Sequence, residues 1–326
     1  MGLTMRLLLP LLAALFLTTF APVSLFRSPV PPAISTLSFT PVSLHETDPA
    51  RKTVGRLVYL GGWVLRSNDG RFGGISAMHV EGREVVALSD AGSLMRFPLP
   101  GRRQGPALTI LPLSDGPGSP EVKGDRDTEA MAVHKDQVWI AFEGRNQVWR
   151  YRRSDWTSDA SAAPSGMRKW SSNSGAEAML RLPDGRFLVF SEGRGRGDGS
   201  SEALLFDGDP ALEGTAGQAI SYVAPKGFRI TDAAVLPDGR LMFLNRRVGL
   251  ADGLSAKLTL ADANSVAAGK ALWGQEIAHL QAPLTVDNME ALSVTQENGR
   301  VVVWIASDDN LISLQRTLLL KFELDD

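Results

Sequence analysis

Glu129, Glu177 and Glu290 stand at the same place in three look-alike phrases, DTEAMAV, GAEAML and NMEALSV, each an acidic side chain heading a short apolar run. A second acidic set closes the runs that follow: Asp90 after VVALS, Glu143 after VWIAF, Glu192 after FLVFS, and Asp308-Asp309-Asn310 after VVVWIAS. A fourth phrase, TDAAV, offers Asp232, and its partner run LMFL ends in Asn245 and Arg246. Carboxylates crowded into a poorly solvated cleft must share protons, pair with Arg or bind a cation. Oxygen-only donors favour Ca²⁺ or another hard cation over zinc. Arg145, Arg194, Arg196, Arg246, Arg247 and Arg316 lie close to these acids in sequence. An Arg fork satisfies carboxylates or grips an anionic ligand, so a ligand or metal site and a closed Arg–carboxylate network both remain open at this level.

Bringing these residues together requires a repeating scaffold. Five segments share one plan of apolar strand, turn, second strand and polar pair: 73–92, 127–146, 175–195, 231–247 and 288–310. Turn signals fall between the two strands, as Pro183-Asp184-Gly185, Pro237-Asp238-Gly239 and Glu297-Asn298-Gly299. Third strands read as SLMRFPL, QVWRYRR, EALLFDG, SAKLTLA and TLLLKFEL, and fourth strands as ALTILPL, MRKWSS, AISYVAP and EIAHLQA. The fifth unit ends with its third strand, and RLVYLGGWVL (56–65) is free to complete it. A spacing of about 48 to 58 residues suits four-stranded blades. The expectation is an all-β fold, a β-propeller of five blades by repeat count, with six left open and a β-sandwich as the competing architecture. The start of each inner strand and the end of the second strand then meet at one mouth of the channel. Unit one contributes Ser76 and Asp90 there, and unit two Asp127, Glu129 and Glu143.

The phrases DTEAMAV, NSGAEAML with PDGRFLVFSEG, DNMEALSV and WIASDDNLISLQRTLLLKFEL resemble the phytase-like domain family, whose members are described as having esterase-like activity of phytase. The resemblance covers roughly residues 55–325. It implies a secreted propeller with phosphoester or other ester hydrolysis, and it places Glu129, Glu177 and Glu290 where the family carries an acidic residue before the inner strand. In this reading Glu129, Glu177, Asp232, Glu290 and Asp308 hold one or more divalent cations. Asp90, Glu143, Glu192, Asn245, Asp309 and Asn310 line the ligand site. Arg246 or Arg316 stabilises charge on the transferred group, and His134 is the candidate base. The competing class is a non-catalytic ligand- or protein-binding propeller using the same mouth.

Several chemistries are excluded or unsupported. There is no cysteine, so disulfides, thiolate catalysis and cysteine-bound zinc are ruled out. No G-x-S-x-G elbow or S-x-x-K motif occurs, and the four histidines show no metal-binding spacing. A net charge of −2 points to no nucleic-acid partner. The expected ligand is a small anionic ester, and a closed ring needs no second copy, so a monomer is expected. Residues 1–27, with Arg6 ahead of an apolar stretch to Phe26, read as a secretory signal or an uncleaved membrane anchor. Export to the periplasm or medium follows. Residues 28–54 read as a Pro-rich spacer and 55–326 as the propeller domain.

Overall fold

The computed structural model describes residues 31–32, 34–101, 108–194, 200–249, 253–312 and 314–325. The expected signal or anchor, and Arg196, lie outside the described residues. Among the described residues no helix is long and apolar enough to cross a membrane.

Each repeat unit is an antiparallel sheet with the shortest-range connectivity, strand pairing to the next strand. The inner strands are Ile75–Glu81, Thr128–His134, Ala176–Arg181, Arg229–Val235 and Met289–Glu297, and they pack on one another in cyclic order. Five sheets in a ring make a five-bladed β-propeller. Hairpin chemistry fits the turns: Glu297 pairs with Arg300 across Asn298-Gly299, both at positive φ, as a two-residue turn of primed type demands.

The blades adhere through five apolar layers, one per interface. Strand alternation supplies both faces of each blade at once. In Glu84–Ser89, Val85 and Ala87 pack toward blade five, while Val86 and Leu88 pack toward blade two. Ring closure is by the chain ends. Leu318–Leu324 pairs antiparallel with Leu57–Ser67, which pairs in turn with Leu37–Pro41. Three details differ from the sequence reading. Residues 37–41, placed in the spacer, form an edge strand of blade five. The fourth strand of blade two is Ser158–Ala162, whereas Met167–Lys169 is a 3₁₀ turn that packs Met167 against blade three; Pro164 and Gly166 interrupt any strand there. Ala271–Trp273 leaves blade four to pair in parallel with the outer strand of blade three.

Candidate functional site: an acidic mouth

The register of every inner strand slips by one residue near its start. The slipped residues are Ser76, Glu129, Glu177, Thr231 and Glu290. A β-bulge re-aims the extra side chain out of the regular alternation. Five equivalent bulges around a ring therefore aim five side chains at one axis, and three of them are glutamates. Carboxylate oxygens of Glu129, Glu177 and Glu290 lie within 4.8 Å of one another. Asp127 and Glu143 form a second such group with Glu129. The first group is the junction of blades two, three and five, and the second belongs to blade two alone.

Asp232 is not in this set. In blade four the bulged residue is Thr231, and Asp232 falls back into the alternation one place on. Its buried carboxylate accepts from the backbone N–H groups of Leu292 (2.6 Å) and Ala233 (2.7 Å), stitching blade four to blade five. The same parity argument separates Asn245 from Arg246. Asn245 is fully buried and accepts from the Tyr222 hydroxyl at 2.8 Å inside the interface with blade three. Arg246, next along the strand, reaches the mouth. It contacts Glu290 at 3.0 Å, Glu192 at 3.1 Å and the Asn288 side-chain oxygen at 2.6 Å. Asn288 in turn donates to Glu290 at 2.8 Å, and Arg229 holds the other oxygen of Glu192 at 2.9 Å.

The Asp308-Asp309-Asn310 triplet divides in two. Asp308 is buried, with Asp90 and Glu290 beside it. Asp309 is structural: it accepts from Gly74 N–H (2.9 Å) and the Thr317 hydroxyl (2.7 Å), tying the last blade to the first. Gly74 has φ +61°, and a Cβ there would stand 2.5 Å from Asp90 Oδ1, so the junction favours glycine. Asn310 caps Asp308 through its N–H and bonds Gln315 through its side chain. Arg316 is engaged by Asp287 and the Val286 carbonyl, both at 3.1 Å, and takes no part in the acidic group. His134 is likewise remote. It sits at the hairpin end of its strand, five residues or roughly 16 Å from Glu129. Burial, with Arg181 and Lys135 nearby, lowers its pKa.

Lys123 is the residue that sequence reading passed over. It lies in the loop before blade two and bonds Asp90 at 2.6 Å. Burial works against its ammonium, but Asp90, Asp127 and Glu129 outweigh it and hold the pKa up. Around the mouth Asp90, Asp127, Glu129, Glu143, Glu177, Glu192, Glu290 and Asp308 face Lys123, Arg229 and Arg246. Eight carboxyl groups face only three cations, so they cannot all ionise without an unbalanced negative charge. Burial first, then mutual repulsion, drives Glu129, Glu177 and Asp308 well above the usual carboxylate range. Burial also takes Glu143 to about 7 and Asp127 to about 6.

The donor set fits a hard cation. It is all oxygen, and Glu177, only 7% exposed, is surrounded chiefly by Glu192, Glu143 and Glu290, with Arg246 the one cation that acts on it. Asp90 Oδ1 and Asp127 Oδ1 are buried acceptors that lack a donor among the described residues.

The family profile described as "Phytase-like: Esterase-like activity of phytase" matches residues 70–311. The chain belongs to the phytase-like family. Its match contains all five bulges and the whole acidic mouth. No individual curated protein matches the sequence. Solved structures resemble the phytase-like chain at low identity. The Bacteroides thetaiotaomicron endo-arabinase is 12% identical, with a TM-score of 0.48, 77% of this chain covered and 94% of the other. The Myxococcus xanthus glutaminyl cyclase is 10% identical, with a TM-score of 0.46 and coverages of 78% and 92%. The PQQ-bound aldose sugar dehydrogenase from Streptomyces coelicolor is 11% identical, with a TM-score of 0.43 and coverages of 90% and 99%.

Proposed function

We propose that this phytase-like propeller is an exported, cation-assisted hydrolase of phosphate or other anionic esters, acting at the acidic mouth. The observation that carries this reading is the convergence of Glu129, Glu177 and Glu290 from three blades, in a mouth whose carboxyl groups outnumber the protein's own cations. A structural Arg–carboxylate network would be expected to close its own charge. Here Arg246 neutralises one side only.

Glu129, Glu177 and Glu290 would hold a divalent cation, Ca²⁺ by donor type, with Asp308 adjacent. Such an ion supplies Lewis-acid stabilisation of an anionic ester and acidifies a nearby water. Arg246 keeps Glu290 and Glu192 in fixed orientation, and Asn288 donates to the same Glu290 oxygen, Oε1, that Arg246 contacts. Glu143 is suited to the role of general base. Its pKa of about 7 lies near neutral pH, where a base both accepts and releases a proton efficiently. One Glu143 oxygen is anchored by Gly175 N–H at 2.8 Å, and the side chain also meets Glu177.

The test is product release from phosphomonoesters, inositol hexakisphosphate and short carboxylic esters by the metal-stripped protein, with and without Ca²⁺. Calcium-dependent turnover, abolished in Glu177→Gln and Glu290→Gln, is the expected result. Saturable ligand binding without product would instead make the mouth a recognition site. Turnover and calcium affinity both surviving those two substitutions would remove the proposal.

A further inference from the structure

The Lys123 ammonium is placed with more care than a surface lysine requires. Its backbone belongs to the short turn Lys123–Arg126 between blades one and two, which is clamped at several points. Asp125 accepts from Ser119 N–H at 2.9 Å and from Arg145 Nε at 2.6 Å. A Cβ on Gly144 would stand 2.0 Å from the Gly124 carbonyl oxygen, so blade two's loop and the turn are in backbone contact. Arg126 is buried, reaching toward the Leu113 carbonyl. The turn therefore fixes where the lysine stem starts, and Asp90 fixes where it ends.

That end point matters because the mouth holds two overlapping oxygen groups. Glu129, Glu177 and Glu290 form one, Asp127, Glu129 and Glu143 the other, and Glu129 is common to both. Lys123 stands against the second: Asp90, Asp127 and Glu129 are the carboxylates that act on its ammonium. Asp127 Oδ1, a member of this group, is buried without a donor among the described residues. A carboxylate group with a spare buried acceptor and one resident positive charge beside it is a cation position already served by the chain.

We propose that Lys123 is a resident counter-cation that keeps a second divalent ion out of the Asp127–Glu129–Glu143 group, restricting the mouth to one metal ion. The inference rests on the acidic mouth as a cation site. Its consequence there is that Glu143 stays free of metal and remains available as a base. Replacing the ammonium by a neutral side chain leaves three carboxylates, those of Asp90, Asp127 and Glu129, without their cation, with Glu143 beside them. Hard-oxygen donors in that number attract Ca²⁺.

Ca²⁺ alone is titrated into the metal-stripped full-length protein, and bound ions per chain are counted by equilibrium dialysis and calorimetry. One ion in the wild type, two in Lys123→Met and one in Lys123→Arg is the expected pattern. Circular dichroism checks that each variant is folded, and Lys123→Gln carries the same expectation should the methionine variant fail to fold. No ion in the wild type but one in Lys123→Met would uphold the resident-cation role while removing the metal reading of the native mouth. Equal counts in wild type and both neutral variants, or fewer in the variants, would overturn the inference.

Discussion

A carboxylate's job in this ring is set by which way one side chain faces. Glu177 and Asp232 illustrate it: both are acidic, buried and near the head of an inner strand. Glu177 is the bulged residue and points at other carboxylates, whereas Asp232, one place past the bulge, is held by two backbone N–H groups. Opposite outcomes follow. Glu177→Gln should lower calcium affinity at least tenfold in calorimetry, and it should raise metal-free stability at neutral pH, since it removes a carboxyl that must take up a proton on folding. Asp232→Ala should leave calcium stoichiometry at the wild-type value but cost about 1–3 kcal/mol in urea unfolding, the usual penalty for orphaning buried donors. Asp232→Ala altering metal stoichiometry with stability intact would contradict this division.

Strands and their pairings carry the next level. The ring is closed by Leu318–Leu324 lying between Arg300–Ser307 and Leu57–Ser67, so the two ends of the domain share one blade. Leu320 is fully buried in the layer between blades four and five. Leu320→Ala should cost about 2–5 kcal/mol in denaturant unfolding, as for other buried leucines. Because the closing blade also presents Glu290 and Asp308, calcium binding should fall in parallel with ring stability in this variant and recover at lower denaturant. Strands were largely legible in the sequence, since alternation and turn residues report local geometry. Ser158–Ala162 escaped because SDASA is polar and small, without the branched and aromatic residues that mark strands. Leu37–Pro41 escaped because flanking prolines read as spacer, although an edge strand tolerates proline.

At the scale of the whole molecule the acidic mouth couples stability to pH and to calcium. Burial raises Glu143 from 4.5 to about 7 and Asp127 from 3.8 to about 6, and Glu129, Glu177 and Asp308 are raised as well. The folded protein therefore keeps protons that the unfolded chain has already released. Stability from these groups is whole below about pH 4 and is lost as pH rises through 6 to 7. Metal-free protein should show a falling Tm from pH 5 to pH 8. Added Ca²⁺ should restore Tm at pH 8, where carboxylates are free to bind it, and have little effect at pH 4.5, where protons hold them. A Tm that rises with pH in the absence of metal would contradict the charge excess at the mouth.

Periodicity pointed to five repeats with six left open, to their strand order in the first three places, to the closure by RLVYLGGWVL and to the gathering of acids at one face. Each of these depends on spacing along the chain. The assignment of particular side chains was a different matter. Thr231 aligns with Glu129 and Glu290 when the phrases TDAAV, EAMAV and EALSV are matched at their terminal valine, but an acidic residue beside it draws the eye to Asp232. A slip of one residue reverses the direction of a strand side chain, so parity decided between Asp232 and Thr231, and between Asn245 and Arg246. Arg316, His134 and Asp309 found partners distant in sequence or stood at the wrong end of a strand. Lys123 joined the mouth from a loop with no repeat signature. Those placements are made by packing between blades, and only the tertiary structure could decide them.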